Sequence, residues 1–144
     1  MTDTIADSLT RLRNALKIHK SEVFLLYSKL IFSIFKILED KNLIAKVEIV
    51  KSELGKEIVS GEKKQSKKIN NEIKVVLKYD KGVSPIRYIE RVSKPGRRLY
   101  FKVKELRPVL GGHGLLIIST PVGLMTDREA REKKLGGEVI CKIY

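Results

Sequence analysis

Two adjacent hydroxyl side chains, Ser119 and Thr120, end an apolar run and are followed by Pro121 and Gly123, which are typical of a turn. Short hydroxyl groups on a rigid turn can hydrogen-bond to ribose 2′-hydroxyls and base edges in the wide, shallow minor groove of RNA. A strand that ends in serine and threonine is also common in proteins without such a role. These residue types favour RNA recognition, with a purely structural turn as the alternative.

Residues suited to catalysis or metal binding form no recognisable pattern. His19 and His113 lie far apart in the sequence, and neither belongs to a metal-ligand spacing such as HExxH. The string GGHG at 111–114 matches neither the dinucleotide-binding fingerprint nor the phosphate-binding loop, so we expect a turn between a helix and a strand there. We therefore predict no enzymatic activity, no cofactor and no metal site.

The single cysteine, Cys141, can form neither an internal disulfide bond nor a CxxC pair, which fits a reducing compartment. It lies in the string VICKIY, where strand alternation predicts that Cys141 shares one face with Val139 and Ile143. On that face the thiol would be a small buried hydrophobic group rather than a nucleophile.

The chain is strongly basic, and its charge is unevenly distributed. Its 144 residues include 30 lysines and arginines against 17 acidic residues, a formal net charge of +13. Residues 81–110 hold 9 basic and 2 acidic side chains, so about half of the excess lies in one fifth of the chain. This balance predicts a polyanionic partner, favours nucleic acid, and centres the binding face on residues 87–107.

The first segment has the pattern of an amphipathic helix. Thr4 followed by Asp7 resembles a capping box. Apolar residues then recur at helical spacing, namely Ile5, Leu9, Leu12 and Leu16. The opposite face carries Arg11, Arg13, Asn14 and Lys17. Such side chains can bind phosphates, but a solvated helix face is the more common explanation.

The rest of the N-terminal half predicts a small sheet and a second helix. Residues 23–26 form a short apolar run that suits a strand, and residues 28–42 have the spacing of a buried helix. From residue 43 the period shifts towards two, which predicts further strands at 43–50 and 72–79.

A low-complexity segment, 51–71, separates those two strands. It is rich in Lys, Glu, Ser and Asn, which cannot form a core, and so predicts a long, mobile hairpin loop. Residues 80–82, Asp-Lys-Gly, predict a turn. We place there the boundary between an N-terminal lobe, 1–80, and a C-terminal lobe, 81–144.

The C-terminal half alternates short strands with short helices. The patterns predict strands at 86–92, 98–103, 115–119 and 138–143, and helices at 104–110 and 127–133. Thr126 and Glu129 form a second capping box, and Gly136 and Gly137 are expected to stop that helix. The predicted fold class is α+β, with an N-terminal α/β lobe of two helices on a short sheet and a C-terminal β-rich lobe with short helices.

Nothing in the sequence predicts export or a membrane partner. The most apolar stretch, 23–38, is interrupted by Lys29 and Lys36 and is too short to cross a bilayer. The N-terminal string MTDTIADSL lacks the basic head and apolar block of a secretion signal. We therefore expect a mature, soluble chain.

Several strings in collinear order carry a family resemblance. DTIADSLTRLRNA, RVSKPGRRLY, GGHGLLIISTPVGLMTDREAR and LGGEVICKIY resemble the universal small-subunit ribosomal protein number eight in its bacterial or plastid form. The match runs from Thr4 to Tyr144 apart from the middle. Because separate motifs occur in the right order, chance similarity is much less probable than for one motif.

The resemblance implies a two-lobed structural protein that binds a central-domain helix of small-subunit ribosomal RNA and supports folding of that domain and subunit assembly. Neighbouring ribosomal proteins and the chain's own messenger RNA are further implied partners. The ribosome would be in the bacterial cytoplasm or in an organelle such as the chloroplast stroma. The residues expected to contact RNA are Ser119, Thr120, Gly123, Glu138, Arg91, Ser93, Lys94, Arg97, Arg98, Arg11, Arg13 and Asn14.

Two departures from the family pattern affect these expectations. Pro121 stands where the family usually has a second serine, so one hydroxyl contact and one backbone N–H are missing. The segment 51–71 is longer than expected and is covered by no resemblance. A free-standing RNA regulator is the alternative function, since a messenger RNA that mimics the ribosomal site would bind the same surface.

Overall fold

The computed structural model describes residues 3–53 and 69–144, which form a mixed α/β structure with two antiparallel sheets. The elements in chain order are α1 (Thr4–Lys17), β1 (Glu22–Leu26), α2 (Lys29–Asp40), β2 (Lys46–Glu53), β3 (Ile69–Val76), β4 (Ile89–Arg91), β5 (Tyr100–Phe101), two 3-10 turns (Val103–Glu105 and Val109–Gly112), β6 (Leu115–Thr120), β7 (Gly123–Thr126), α3 (Asp127–Glu132) and β8 (Gly137–Ile143). This confirms the predicted α+β class.

Helix α1 forms where the periodicity predicts it, but its cap lies one residue earlier. The Asp3 carboxylate accepts a hydrogen bond from the Ala6 backbone N–H, so Asp3 rather than Thr4 is the N-cap. An aspartate satisfies an otherwise unpaired N–H and favours the positive end of the helix dipole. Helix α2 is capped by Ser28, and both helices bury their apolar faces against the first sheet.

The first sheet has the strand order β1-β3-β2. Strand β1 confirms the prediction for residues 23–26. Strands β2 and β3 are each displaced by three residues from the predictions at 43–50 and 72–79, since β2 runs from Lys46 to Glu53 and β3 from Ile69 to Val76. The predicted loop at 51–71 was therefore too long at both ends, because polar side chains are compatible with backbone pairing between strands. Its central part, 54–68, lies outside the described residues.

The predicted turn after the first sheet is confirmed. Asp80 and Val83 exchange both backbone hydrogen bonds, and Lys81 and Gly82 between them have positive φ values of 51° and 78°. This backbone geometry is the one that closes a two-residue hairpin. The division into lobes at this point stays a prediction, because one core cluster contains residues from both sides of the turn.

The second sheet has the order β4-β8-β6-β7, and β5 pairs with the same edge of β8 as β4. The strands predicted at 86–92 and 98–103 are confirmed only as the short β4 and β5. The α-helix predicted at 104–110 is wrong, since two 3-10 turns cover only the ends of this stretch and residues 106–108 between them are not helical. Strand β7 was not predicted, because Gly123 suggested that the turn continued.

A β-bulge in β8 changes which side chains share a face. Ile117 pairs with Cys141, but the next residue, Ile118, pairs with Val139, so Ile140 is the extra residue. Cys141 and Ile143 pack in the first core cluster, whereas Val139 packs in the second. The predicted common face of Val139, Cys141 and Ile143 is therefore wrong for Val139.

Helix α3 begins as predicted and ends differently. The Thr126 hydroxyl accepts from the Glu129 backbone N–H, which confirms this cap. The helix stops through Lys134, whose φ is 56°, rather than through the two glycines. Gly136 and Gly137 instead allow close approach, because a Cβ on Gly137 would collide with the Ser119 carbonyl group and one on Gly136 would lie 2.6 Å from the Phe101 carbonyl oxygen.

Two core clusters hold the structure together. The larger lies between α1, α2, the first sheet and one face of the second sheet, and the smaller lies on the other face of the second sheet beneath α3 and the 3-10 turns. Among the helices in 3–53 and 69–144, none is long and apolar enough to span a bilayer.

Candidate nucleic-acid interface

The β6–β7 hairpin presents the two hydroxyl groups in different states. Thr120 is buried, and its Oγ1 donates to the Gly123 carbonyl oxygen at 2.8 Å and accepts from the Val122 N–H at 3.2 Å. Ser119 is half-buried, and no residue of the described chain hydrogen-bonds to its Oγ. The Thr120 hydroxyl therefore stabilises the turn, while the Ser119 hydroxyl keeps its donor and acceptor capacity.

Ser119 lies in a row of polar side chains across the second sheet. It pairs directly with Glu138 on β8, and Glu138 pairs on its other side with Tyr100 on β5. Directly paired residues project from the same face of a sheet. The row therefore places a free hydroxyl, a carboxylate and an exposed aromatic ring side by side.

Glu138 is fixed by two partners from the segment before β5. Its Oε1 accepts from Ser93 Oγ at 2.7 Å and from Arg98 Nη1 at 3.1 Å. Ser93 is fully buried and also accepts from the Leu99 N–H at 3.1 Å. We call Ser93, Arg98, Tyr100, Ser119 and Glu138 the Glu138 edge. The buried Ser93 hydroxyl therefore holds the Glu138 carboxylate in one orientation.

A tight turn beside the Glu138 edge presents cations to solvent. Lys94 and Arg97 exchange both backbone hydrogen bonds, at 3.0 and 2.9 Å, with Pro95 and Gly96 at the corner. The side chains of Lys94, Arg97 and Arg98 are exposed. Proline fixes φ for such a turn, so the sequence SKPGRR projects three positive charges from a rigid support.

Arg91 has an internal role. Its side chain is only 7% exposed, its Nε donates to the Asp3 carboxylate at 3.3 Å, and its Nη1 donates to the Ile140 carbonyl oxygen at 2.7 Å. These bonds join the start of α1 to the bulge of β8. Arg91 therefore fixes α1 relative to β8, beside the turn formed by residues 94–97.

An open cleft of about 740 Å³ separates α1 from β4 and the basic turn. Arg13, Arg91 and Lys94 line it together, and Arg13 also donates to the Ile89 carbonyl oxygen at 2.6 Å. Arg11 and Asn14 are exposed on α1 outside this lining, and Arg11 pairs with Asp7 one helical turn away. Of the three α1 residues predicted from sequence, the structure brings only Arg13 into the cleft.

Tyr100 was missing from the residues predicted for the site. Tyr100 is 67% exposed beside Glu138, where its ring can stack against a base or sugar. The available signal was an aromatic residue directly after the basic string GRRL. Its position opposite Glu138 depends on the pairing of β5 with β8, which local sequence does not specify.

Cys141 lacks the properties of a nucleophile. Burial raises the pKa of its thiol to about 12, and the nearby positive charge of Arg91 offsets this only in part. The thiol is therefore protonated and inaccessible at neutral pH. Within 3–53 and 69–144, no group of three or more His, Cys, Asp or Glu residues is placed to hold a metal ion.

Comparisons with known proteins cover almost the whole chain. The family model described as Ribosomal protein S8 matches residues 3–144. A "Small ribosomal subunit protein uS8" of Syntrophus aciditrophicus is 44% identical over 145 residues, covering 100% of this chain and 98% of the relative. Proteins with the same description from Thermodesulfovibrio yellowstonii and Rhizobium etli (strain CIAT 652) are 41% and 40% identical, each covering 100% of this chain and 99% and 98% of the relative.

Proposed function

Because the chain belongs to the ribosomal protein S8 family and is thus a structural component of the small ribosomal subunit rather than an enzyme, we propose that it binds a central-domain helix of small-subunit ribosomal RNA. Binding would support the folding of that domain and assembly of the subunit. One observation supports this most directly, namely the row of Tyr100, Glu138 and Ser119 beside exposed cations.

The Glu138 edge suits an RNA minor groove. The free Ser119 hydroxyl donates to and accepts from a 2′-hydroxyl or base edge, and the second oxygen of Glu138 accepts from an amino group or a 2′-hydroxyl. Tyr100 stacks at the rim of the contact. Because Glu138 is already oriented by Ser93 and Arg98, little side-chain freedom is lost on binding.

The remaining proposed residues divide into two groups. The first group contacts phosphates and ribose, and it consists of Lys94, Arg97, Arg13 and the exposed α1 residues Arg11 and Asn14. Internal hydrogen bonds engage the polar groups of the other four residues, Thr120, Gly123, Ser93 and Arg91. These four position the residues that contact RNA and do not contact it themselves. Arg98 serves both purposes, since its guanidinium has donors beyond the one bound to Glu138.

Pro121 changes what the hairpin can offer. It has no backbone N–H and no hydroxyl, so direct contacts at this turn come from Ser119 and from the exposed side chain of Val122. The rigid φ of proline holds the hairpin tip in place. We expect fewer polar contacts at the turn than a second serine would provide.

The complex is expected to form on a bacterial ribosome. The bacterial sources of the similar proteins support a bacterial ribosome over the plastid alternative. Neighbouring small-subunit proteins are the expected protein partners. The chain's own messenger RNA would bind the same surface if it carries a stem that mimics the ribosomal site.

Equilibrium binding tests the proposal. The purified protein is titrated with the central-domain helix and with a scrambled duplex of equal length, at several salt concentrations. We expect preference for the cognate helix to persist at physiological salt, because base-edge and 2′-hydroxyl contacts are less salt-sensitive than phosphate contacts. Equal and steeply salt-dependent binding to both RNAs would contradict the proposal.

Two substitutions separate the kinds of contact. Ser119→Ala should weaken cognate binding by about 0.5 to 1.5 kcal/mol, the usual net value of a neutral hydrogen bond, and reduce the preference over the scrambled duplex. Arg97→Ala should weaken binding to both RNAs alike and reduce the salt slope by about 1. An unchanged preference for the cognate helix in Ser119→Ala would remove Ser119 from the recognition site.

A further inference from the structure

A pair of stacked tyrosines lies outside the surface described so far. Tyr88, just before β4, and Tyr144, just after β8, have ring centroids 4.7 Å apart and an interplanar angle of 23°. Tyr88 is 40% exposed. Exposed aromatic pairs combine a large apolar area with flat faces, so they are well suited to bind another planar group.

The backbone holds this pair rigidly. The Tyr144 carbonyl oxygen accepts from the N–H groups of Arg87 and Tyr88 at 2.7 and 2.6 Å, and the Tyr144 N–H donates to the Tyr88 carbonyl oxygen at 3.0 Å. Tyr88 Oη also donates to Glu90 at 3.0 Å, and this hydrogen bond raises the pKa of Tyr88. The phenol therefore stays neutral and fixed, and little conformational entropy would be lost on binding.

Cationic side chains lie near the pair, beside the Glu90 carboxylate that Tyr88 contacts. Lys142 Nζ lies 5.7 Å from the centroid of the Tyr144 ring, and Arg13 donates to the carbonyl oxygen of Ile89, the residue after Tyr88. Arg87 is exposed next to Tyr88. Glu90, which accepts the hydrogen bond from Tyr88, and Arg13 both line the cleft between α1 and β4.

We propose that the Tyr88–Tyr144 pair is a stacking platform for an unpaired nucleobase of the bound RNA, with Arg13, Arg87 and Lys142 holding the adjoining phosphates. The inference rests on the proposed RNA-binding function and adds a contact to single-stranded nucleotides beside the duplex. Flat aromatic faces and cations together match a nucleotide, which offers a planar base beside a phosphate.

The test compares two RNAs that share the central-domain helix. One ends in a blunt, fully paired stem, and the other carries a six-nucleotide adenosine tract with 2-aminopurine as a fluorescent base. We expect the wild-type protein to bind the RNA with the tract more tightly and to quench the 2-aminopurine signal through stacking. Tyr88→Ala should lose most of this gain, about tenfold in affinity, and leave binding to the blunt stem unchanged.

Two controls separate stacking from general damage. Tyr88→Phe keeps the aromatic face but not the hydroxyl, so it should retain the gain from the tract. Tyr27→Ala removes a tyrosine of similar exposure that packs against Phe32 beside the first sheet, and it should also retain the gain. An equal gain in wild type and Tyr88→Ala, or an equal loss in Tyr27→Ala, would overturn the platform.

The same measurements distinguish failure of the proposed helix recognition from failure of the stacking platform. If the wild-type protein binds the cognate and scrambled blunt stems equally, helix recognition fails, while quenching that depends on Tyr88 would still support the platform. If the cognate stem is preferred and the tract adds nothing, only the platform fails.

Discussion

The outer face of α1 and the Glu138 edge use the same residue types in contrasting ways. On α1, Arg11 pairs with Asp7 one turn away, and both side chains are more than half exposed. At the Glu138 edge, Glu138 is 17% exposed and binds residues 45 and 40 positions away in the chain. Partners on one helix are replaceable by water, whereas those at the edge are fixed by tertiary structure and are costly to remove.

Gly137→Ala tests this contrast with the largest expected effect. The added Cβ would collide with the Ser119 carbonyl group, so β8 and β6 must separate beside Glu138. We expect a loss of roughly 3 kcal/mol or more in the free energy of unfolding, measured by urea titration, in the range of severe backbone conflicts. Gly96→Ala is the matched control, because no atom of the described residues lies within 4 Å of its Cβ position. Equal stability of both variants would contradict the close packing of the edge.

Ser93→Ala removes the buried donor to Glu138. The Leu99 N–H loses its acceptor and the carboxylate loses its shortest hydrogen bond, so we expect a cost of about 2 kcal/mol in the free energy of unfolding. Ser33→Ala is the control, because the Ser33 hydroxyl donates to the Lys29 carbonyl oxygen one turn earlier on an exposed helix surface. A cost below that of Ser33→Ala would show that the network is not held by Ser93.

The pH dependence of the free energy of unfolding tests whether the Cys141 thiol on β8 is buried. Its thiol has a pKa of about 12 in the folded chain, raised from 9.0, so between these values the unfolded chain loses a proton that the folded chain keeps. Stability should therefore be unaffected by this group below pH 9 and fall above it, by up to about 1.4 kcal/mol per pH unit. Urea titrations of wild type and Cys141→Ala at pH 8 to 10.5 isolate this contribution. A constant difference across that range would contradict the burial of the thiol.

Arg11→Ala should have the smallest effect. Its pair with Asp7 is exposed, so we expect a change within about 0.5 kcal/mol in the free energy of unfolding by urea titration. A loss of about 2 kcal/mol, equal to that expected for Ser93→Ala, would show that α1 depends on this pair as strongly as the Glu138 edge depends on Ser93.

Elements with strong local signals were predicted correctly. Helix α1 follows from the spacing of Ile5, Leu9 and Leu12, and the start of α3 from Thr126 as its cap. The errors fall where local signals compete. Asp3 replaced Thr4 as the cap of α1. The segment 104–110 forms no α-helix although its composition suits one. In its second 3-10 turn, Leu110 and Gly111 adopt positive φ values of 48° and 63°, which do not fit an α-helix.

The candidate site was predicted in part. The hydroxyl turn and the basic segment around Arg97 are visible in sequence because turn residues and charge are local properties. The state of each polar group is not local, and Thr120, Ser93 and Arg91 proved to be bonded inside the protein.

The sequence by itself determined the α+β class, the positions of the main helices, the concentration of positive charge and the family, because these depend on residue types and short spacings. Only the tertiary structure decided which hydroxyl is free, that Tyr100 stands opposite Glu138, and that Tyr88 meets Tyr144. The physical reason is strand pairing: the register, the bulge at Ile140 and the edges of β8 are set by contacts between distant segments, which no local pattern specifies.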